Sequence, residues 1–171
     1  MAVAGFHSYT RGLGVTLREL VTADREDVCR LLRESPAFSA EEVCVAIEVL
    51  DAGLAGGLEG DYPLFAAEID GHIRGYVCIG RTPMTRSTWH LYWICVHPSA
   101  QRQGIGQALQ GQIEQFIRAR GGERIVLETS GRPDYESSRR FYVRVGYRPA
   151  GRIPDYYKPG DPCVFYCKVL A

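Results

Sequence analysis

The sequence contains no apolar run long enough to span a bilayer, so a membrane-spanning helix is not expected. Its opening, MAVAGFHSYTRGLG, lacks the long apolar core of a secretory signal. Net charge is also missing: twenty basic and twenty acidic residues cancel. A general nucleic-acid or polyanion binder needs a basic excess, and that class is set aside. The six cysteines include no CxxC pair. Cys29, Cys78 and Cys95 sit inside apolar runs, where a reduced thiol acts as a small hydrophobe. Cys163 and Cys167 would share one face of a strand, which favours core packing over a redox role. The four histidines show no metal-ligand spacing, so no metal is expected. These absences together describe a reduced, cytoplasmic protein with no membrane or nucleic-acid partner.

What is present fits one globular domain. The chain has 171 residues, of which 46% are apolar and 23% charged, and no repeat or linker divides it. Residues 1–14 read as an N-terminal extension and 15–171 as the domain. VTLREL (15–20) alternates and predicts a strand. Val28, Leu31 and Leu32 mark one face of a helix over 22–35. A second helix opens at a capping box, Ser39 with Glu42 three residues on, and ends at Gly56-Gly57. Asp70-Gly71 predicts a tight hairpin turn within 64–80. STWHLYWICV (87–96) is a buried strand. Ile105, Leu109, Ile113 and Phe116 stripe a third helix closed by Gly121-Gly122. RIVLETS (124–130) is a strand, and 135–145 a short helix capped by Gly146. Strands YRPAGRI and CVFYCKVL finish the chain, joined by the loop PDYYKPGDP. The order β-α-α-β-β-β-α-β-α-β-β is that of a mixed α/β (α+β) fold with one central strand-helix-strand crossover.

That crossover begins with HPSAQRQGIGQAL (97–109), a polar, glycine-bearing entry to a helix. The first N–H groups of a helix lack partners and carry the positive end of its dipole. Gly104 and Gly106 have no Cβ to hold an anion away, so the turn reads as a pyrophosphate cradle. A nucleoside triphosphate site would end in G-K-[ST], and this one runs GIGQAL. A dinucleotide site would want G-x-G-x-x-G in the first strand-helix unit, whereas here Leu109 takes the third glycine's place in mid-chain. Coenzyme A is the third candidate, with a dinucleotide kept as a distant alternative.

YWICVHPSAQRQGIGQAL resembles the acetyl-CoA site of the GCN5-related N-acetyltransferases, the GNAT family. Gln101, Gly104 and Gly106 match its R/Q-x-x-G-x-G/A pattern. SSRRFYVRVGY is similar to a second family element, with Ser138, Phe141, Tyr142, Gly146 and Tyr147 in matching places. The resemblance implies a mostly antiparallel central sheet, flanked by helices, with one parallel strand pair that splays apart around acetyl-CoA. Ile94, Cys95 and Val96 would pair with the pantetheine arm, and a backbone N–H near Cys95 or Val96 would polarise the thioester carbonyl. Gln101, Arg102, Gln103, Gly104, Ile105, Gly106 and Gln107 would meet the pyrophosphate.

The implied reaction is acetyl transfer from acetyl-CoA to a primary amine by direct attack in a ternary complex. Tyr142 is the candidate acid for the leaving thiolate. Glu128 is the candidate base, with Glu68 or an ordered water as alternatives. The family's frequent asparagine falls on Tyr135, a departure that leaves that coenzyme contact unsupported. Glu68, Tyr92, Tyr156 and Tyr157 are the candidate acceptor-binding residues. In the last loop Tyr156 and Tyr157, with Asp155 and Asp161, would form a small polar pocket for an ammonium group. A compact loop favours a small amine or free amino acid over a protein N-terminus or lysine. A non-catalytic acyl-CoA-binding domain is a third possibility, and exposed strand edges would allow a homodimer.

Overall fold

The computed structural model describes residues 14–170. The expected N-terminal extension, apart from Gly14, lies outside the described residues. Among the described residues are seven strands and four α-helices: β1 Val15–Glu19, α1 Arg25–Glu34, α2 Ala40–Gly56, β2 Leu64–Ile69, β3 His72–Arg81, β4 Thr88–Val96, α3 Ile105–Ala119, β5 Arg124–Ser130, α4 Glu136–Arg144, β6 Arg148–Lys158 and β7 Asp161–Val169. They fall into two compact units. The first holds the described chain to Gly80 together with Tyr92–Phe116, and the second holds Arg81–Leu91 with the chain from Ile117 onward. β4 passes from the second unit into the first.

In the first unit the strand order is β1-β2-β3 and then the Tyr92–Val96 half of β4. β1 pairs antiparallel with β2, from Val15↔Ile69 to Glu19↔Phe65. β2 and β3 form the expected hairpin, closed by Ile69↔His72. Asp70 and Gly71 both hold positive φ, 50° and 76°, which a two-residue turn of matching twist requires. The Ser39–Glu42 box is formed in both directions, Glu42 N–H to Ser39 Oγ at 3.2 Å and Ser39 N–H to Glu42 Oε2 at 2.8 Å. It starts α2 after the break at Ser35–Phe38. Val28, Leu31 and Leu32 of α1 pack with Ala46 and Leu50 of α2 and with Leu64, Ala66 and Tyr76 of the sheet. Cys29, Cys78 and Cys95 belong to this same core.

In the second unit the order is the Thr88–Leu91 part of β4, then β5, β7 and β6. β4 and β5 are parallel over Thr88↔Arg124, Trp89↔Ile125 and His90↔Val126. β5 and β7 stay paired over the full length of β5, to Ser130↔Cys163. Trp89, Ile125, Leu127, Tyr147 and Tyr166 are buried, and Arg81 lies over the Trp89 ring, 4.8 Å from its centroid. β6 is longer than the sequence suggests. The segment read as the loop 154–162 is mostly strand, and only Pro159-Gly160 remains as a turn. A register shift between Ile153 and Lys158, with Asp155 at φ 50°, absorbs the proline and extra residues that hide the strand.

Candidate active site

The residues singled out from the sequence fall into two groups, one in each unit. The first group surrounds the glycine turn. β4 ends at Val96, and a short turn at Pro98–Ala100 leads to α3. Ala100 is buried and anchors that turn. The first helical hydrogen bond of α3 runs from Ala108 N–H to Gly104 O at 2.9 Å. The amides of Ile105, Gly106 and Gln107 therefore have no carbonyl within the helix to meet. Gly104 holds φ +85°, and a Cβ there would point into open space. That open space beside free amides is what an approaching phosphate needs. Arg102 is exposed on the same turn, also at positive φ, 61°.

The side chains of two residues expected at the cradle brace the turn. Gln101 donates its side-chain amide to Val96 O at 3.2 Å, and Gln103 donates to Ser99 O at 3.0 Å. They tie the turn to the end of β4 and to its own Ser99 carbonyl. Of the strand residues Ile94, Cys95 and Val96, Cys95 turns its side chain into the α1–α2 core. Burial pushes its thiol up to about 11.

The second group lies around β5. His90 Nε2 is 3.0 Å from Glu128 Oε2. The sheet register explains the meeting: His90 sits opposite Val126, and Val126 and Glu128 share one face of β5. The His90 hydrogen bond holds the Glu128 carboxyl below the usual carboxylate range, against the opposing pull of burial. This partnership needs the parallel register, which no local sequence pattern reveals. Glu128 also lies opposite Phe165 of β7. Tyr157 folds back so that its hydroxyl donates to Cys163 Sγ at 3.6 Å, and Tyr156 packs edge-on to both Tyr157 and Phe165. Tyr157 is exposed as a residue, but its hydroxyl is turned toward Cys163, and loss of water there together with the Cys163 contact raises the phenol above its usual value.

Tyr142 lies on α4 among Phe141, Tyr147 and Tyr166, with ring centroids 5.7–5.9 Å away. Burial, then the neighbouring Tyr166, pushes its phenol well above the ordinary value, so it keeps its proton. α4 ends at Arg144, and Gly146 just beyond it takes φ +95° and lets Tyr147 N–H close back on Tyr142 O at 3.0 Å.

The two aspartates expected beside the tyrosines are structural. Asp155 Oδ1 accepts from Gly160 N–H at 2.7 Å and closes the hairpin. Asp161 is buried, and Ser130 Oγ donates to it at 2.5 Å. The wall near Glu128 is therefore aromatic rather than acidic. Glu68 is paired with Arg18 at 2.8 Å, and Arg18 also forks onto Asp24 at 2.6 and 2.8 Å. Tyr92 is partly exposed and meets Tyr62 edge-on at 5.3 Å. Among the described residues no group of three His, Cys, Asp or Glu is placed to hold a metal, and no helix is long and apolar enough to cross a membrane.

Known proteins resemble this arrangement. The family model described as the acetyltransferase (GNAT) family matches residues 25–147. An uncharacterized N-acetyltransferase of Methanocaldococcus jannaschii is 34% identical over 110 residues, 63% of this chain and 67% of that one. A crystal structure assigned to the GNAT acetyltransferases, from Desulfovibrio desulfuricans, has a TM-score of 0.87 and 35% identity, covering 92% of this chain and 99% of that one. An aminoglycoside 6'-N-acetyltransferase complexed with coenzyme A shares the fold alone: TM-score 0.71 and 18% identity, covering 91% of this chain and 97% of that one. The glycine cradle at the mouth of α3, the parallel pairing of β4 with β5 and these likenesses agree: the chain belongs to the GNAT family and is an N-acetyltransferase.

Proposed function

We propose that this enzyme transfers the acetyl group of acetyl-CoA to a primary amine of a small molecule or free amino acid, by direct attack in a ternary complex. The observation that carries the chemistry is the Glu128 carboxylate oriented by His90 at 3.0 Å, a hydrogen bond that favours its ionised form. The amides from Gly104 to Gln107, the open approach at Gly104 and the exposed Arg102 fit the pyrophosphate of coenzyme A. The thioester supplies an activated acyl carbonyl and a leaving group stable as a thiolate.

Glu128, His90 and Tyr142 carry the protein's part. As the amine nitrogen bonds to the acyl carbon it becomes an ammonium and its proton turns acidic. Glu128 takes that proton, directly or through one water, and the hydrogen bond from His90 fixes the carboxylate's direction. A carboxylate with a lowered pKa is a weak base, so it acts on the nitrogen after attack rather than on a free ammonium. Collapse breaks the C–S bond, and the Tyr142 phenol passes its proton to the departing sulfur. A phenol is protonated at neutral pH, and the raised value of Tyr142 keeps it so.

The acceptor reading rests on the β6–β7 hairpin. Its turn is only Pro159-Gly160, and Tyr156, Tyr157 and Phe165 form an aromatic wall on the hairpin that includes the residue opposite Glu128. Aromatic faces suit an ammonium or an apolar side chain. One observation favours a peptide N-terminus instead: every residue of β6 is exposed, which leaves room for a longer chain alongside it. The test is release of coenzyme A thiol with free amino acids, polyamines, aminoglycosides and N-terminal peptides as acceptors. Turnover with one small-amine class supports the reading. Turnover with peptides alone replaces it, and acetyl-CoA binding with no acceptor at all points to a binding role.

A further inference from the structure

We propose that His97 is a positioning residue for acetyl-CoA: its imidazole clamps the turn that sets the phosphate-facing amides. The inference rests on the reading of Gly104–Gln107 as a pyrophosphate cradle. His97 is the last residue before the turn and the first after β4, and its own N–H donates to Arg74 O of β3 at 2.8 Å. Its ring makes contacts on both sides. Nδ1 accepts from Ser99 N–H at 3.2 Å and meets Ser99 Oγ at 2.7 Å. Nε2 lies 3.2 Å from Glu34 Oε2 at the C-terminal end of α1.

These contacts select one form of the ring. Nδ1 must offer a lone pair to the Ser99 amide, so the proton sits on Nε2 and points at Glu34. In that form His97 caps the turn at Pro98–Ala100 and ties it to α1. The turn is then braced inward by Gln103 on Ser99 O and by Gln101 on Val96 O. The clamp, the two braces and the positive φ at Arg102 and Gly104 together fix where the α3 amides point. None of these side chains is needed as a phosphate ligand. A loose cradle would lose affinity for the coenzyme and leave the chemistry at Glu128 and Tyr142 unchanged.

The same atom can be supplied without a ring. Asparagine places Oδ1 where histidine has Nδ1, one bond beyond Cγ, and an asparagine before proline caps such turns readily. Glutamine places its oxygen one bond too far. The experiment measures acetyl-CoA affinity by calorimetry, and kcat and KM for acetyl-CoA, in the full chain and in H97A, H97N, H97Q and G104V. The expected result is affinity about five- to tenfold weaker in H97A and H97Q, near wild type in H97N, with kcat at saturation unchanged. Equal affinity in H97N and H97Q overturns the proposal, and that comparison holds even where H97A folds poorly. Weak binding in G104V with wild-type binding in H97A also overturns it and leaves the cradle standing. Wild-type affinity in both G104V and H97A overturns the cradle reading as well.

Discussion

His90 on β4 and Glu128 on β5 meet at 3.0 Å, two residues beyond a point where the strands are paired in parallel. If Glu128 is the base, its ionisation sets the acid limb of the rate profile. Removing His90 removes the largest influence lowering that carboxyl's pKa, so the pKa rises. The base is then lost at a higher pH. In H90A the acid limb of kcat/KM should therefore move upward in pH, measured across buffers of constant ionic strength. E128Q should lower kcat by about a hundredfold or more at every pH. A profile in H90A that stays in place would separate His90 from the ionisation of Glu128.

Tyr142 makes a cleaner separation of chemistry from packing. Its ring is held among three aromatic neighbours, and phenylalanine keeps all three contacts. Y142F should unfold within about 1 kcal/mol of wild type. Its kcat should fall about tenfold or more, with little change in the affinity for acetyl-CoA, because the sulfur leaves without its proton. A more acidic thiol leaving group in an acyl donor analogue should recover much of that rate, since it depends less on the acid.

Arg18 serves the fold. It is shared between Asp24, which is buried, and Glu68. R18M leaves both carboxylates without their cation and should cost about 1–2 kcal/mol, the low end for a broken pair because solvent still reaches it. Asp24 is held below the usual carboxylate range chiefly by the Arg18 hydrogen bond. The stability it contributes is present above that range and is lost as pH falls through the lowered value. Denaturant unfolding from pH 7 to pH 3 should show this acid loss in wild type and a smaller one in R18M.

The six thiols should separate by exposure. Cys44 is exposed on α2, whereas Cys29, Cys78, Cys95 and Cys163 are buried and Cys167 is half-buried. Burial pushes the Cys78 and Cys95 thiols up, which removes the reactive thiolate at neutral pH. An excess of a thiol reagent added to the native protein should give one fast equivalent. C44S should abolish that phase and leave the slow ones.

Much of this fold is written locally. The Ser39 box, the Asp70-Gly71 turn and the Gly121 and Gly146 helix ends are short-range devices, and each appears where its residues stand. The strand–turn–helix unit of the glycine turn is legible for the same reason: its parts are contiguous in the chain. What could not be read depends on distant pairing. The meeting of His90 with Glu128 needs the β4–β5 register, and the fork of Arg18 onto Glu68 needs that of β1 with β2. Which way the Gln101 and Gln103 side chains face could not be read either, since an amide side chain can face ligand or backbone; here they face the chain's own carbonyls. The two strands of the β6–β7 hairpin were legible, but its outer part was hidden by prolines, which usually mark loops. A register shift accommodates Pro154 and carries the strand on to Lys158.

β6 contributes eleven consecutive residues to the second unit, and none of them is buried. Most substitutions along this strand draw little on the stability that holds the chain folded. Mutations that reshape the hairpin around Tyr156 and Tyr157 can therefore accumulate without compensation elsewhere. If the acceptor lies against this hairpin as proposed, laboratory selection for new acceptor amines should find its first gains there, and the scaffold should tolerate several such changes at once.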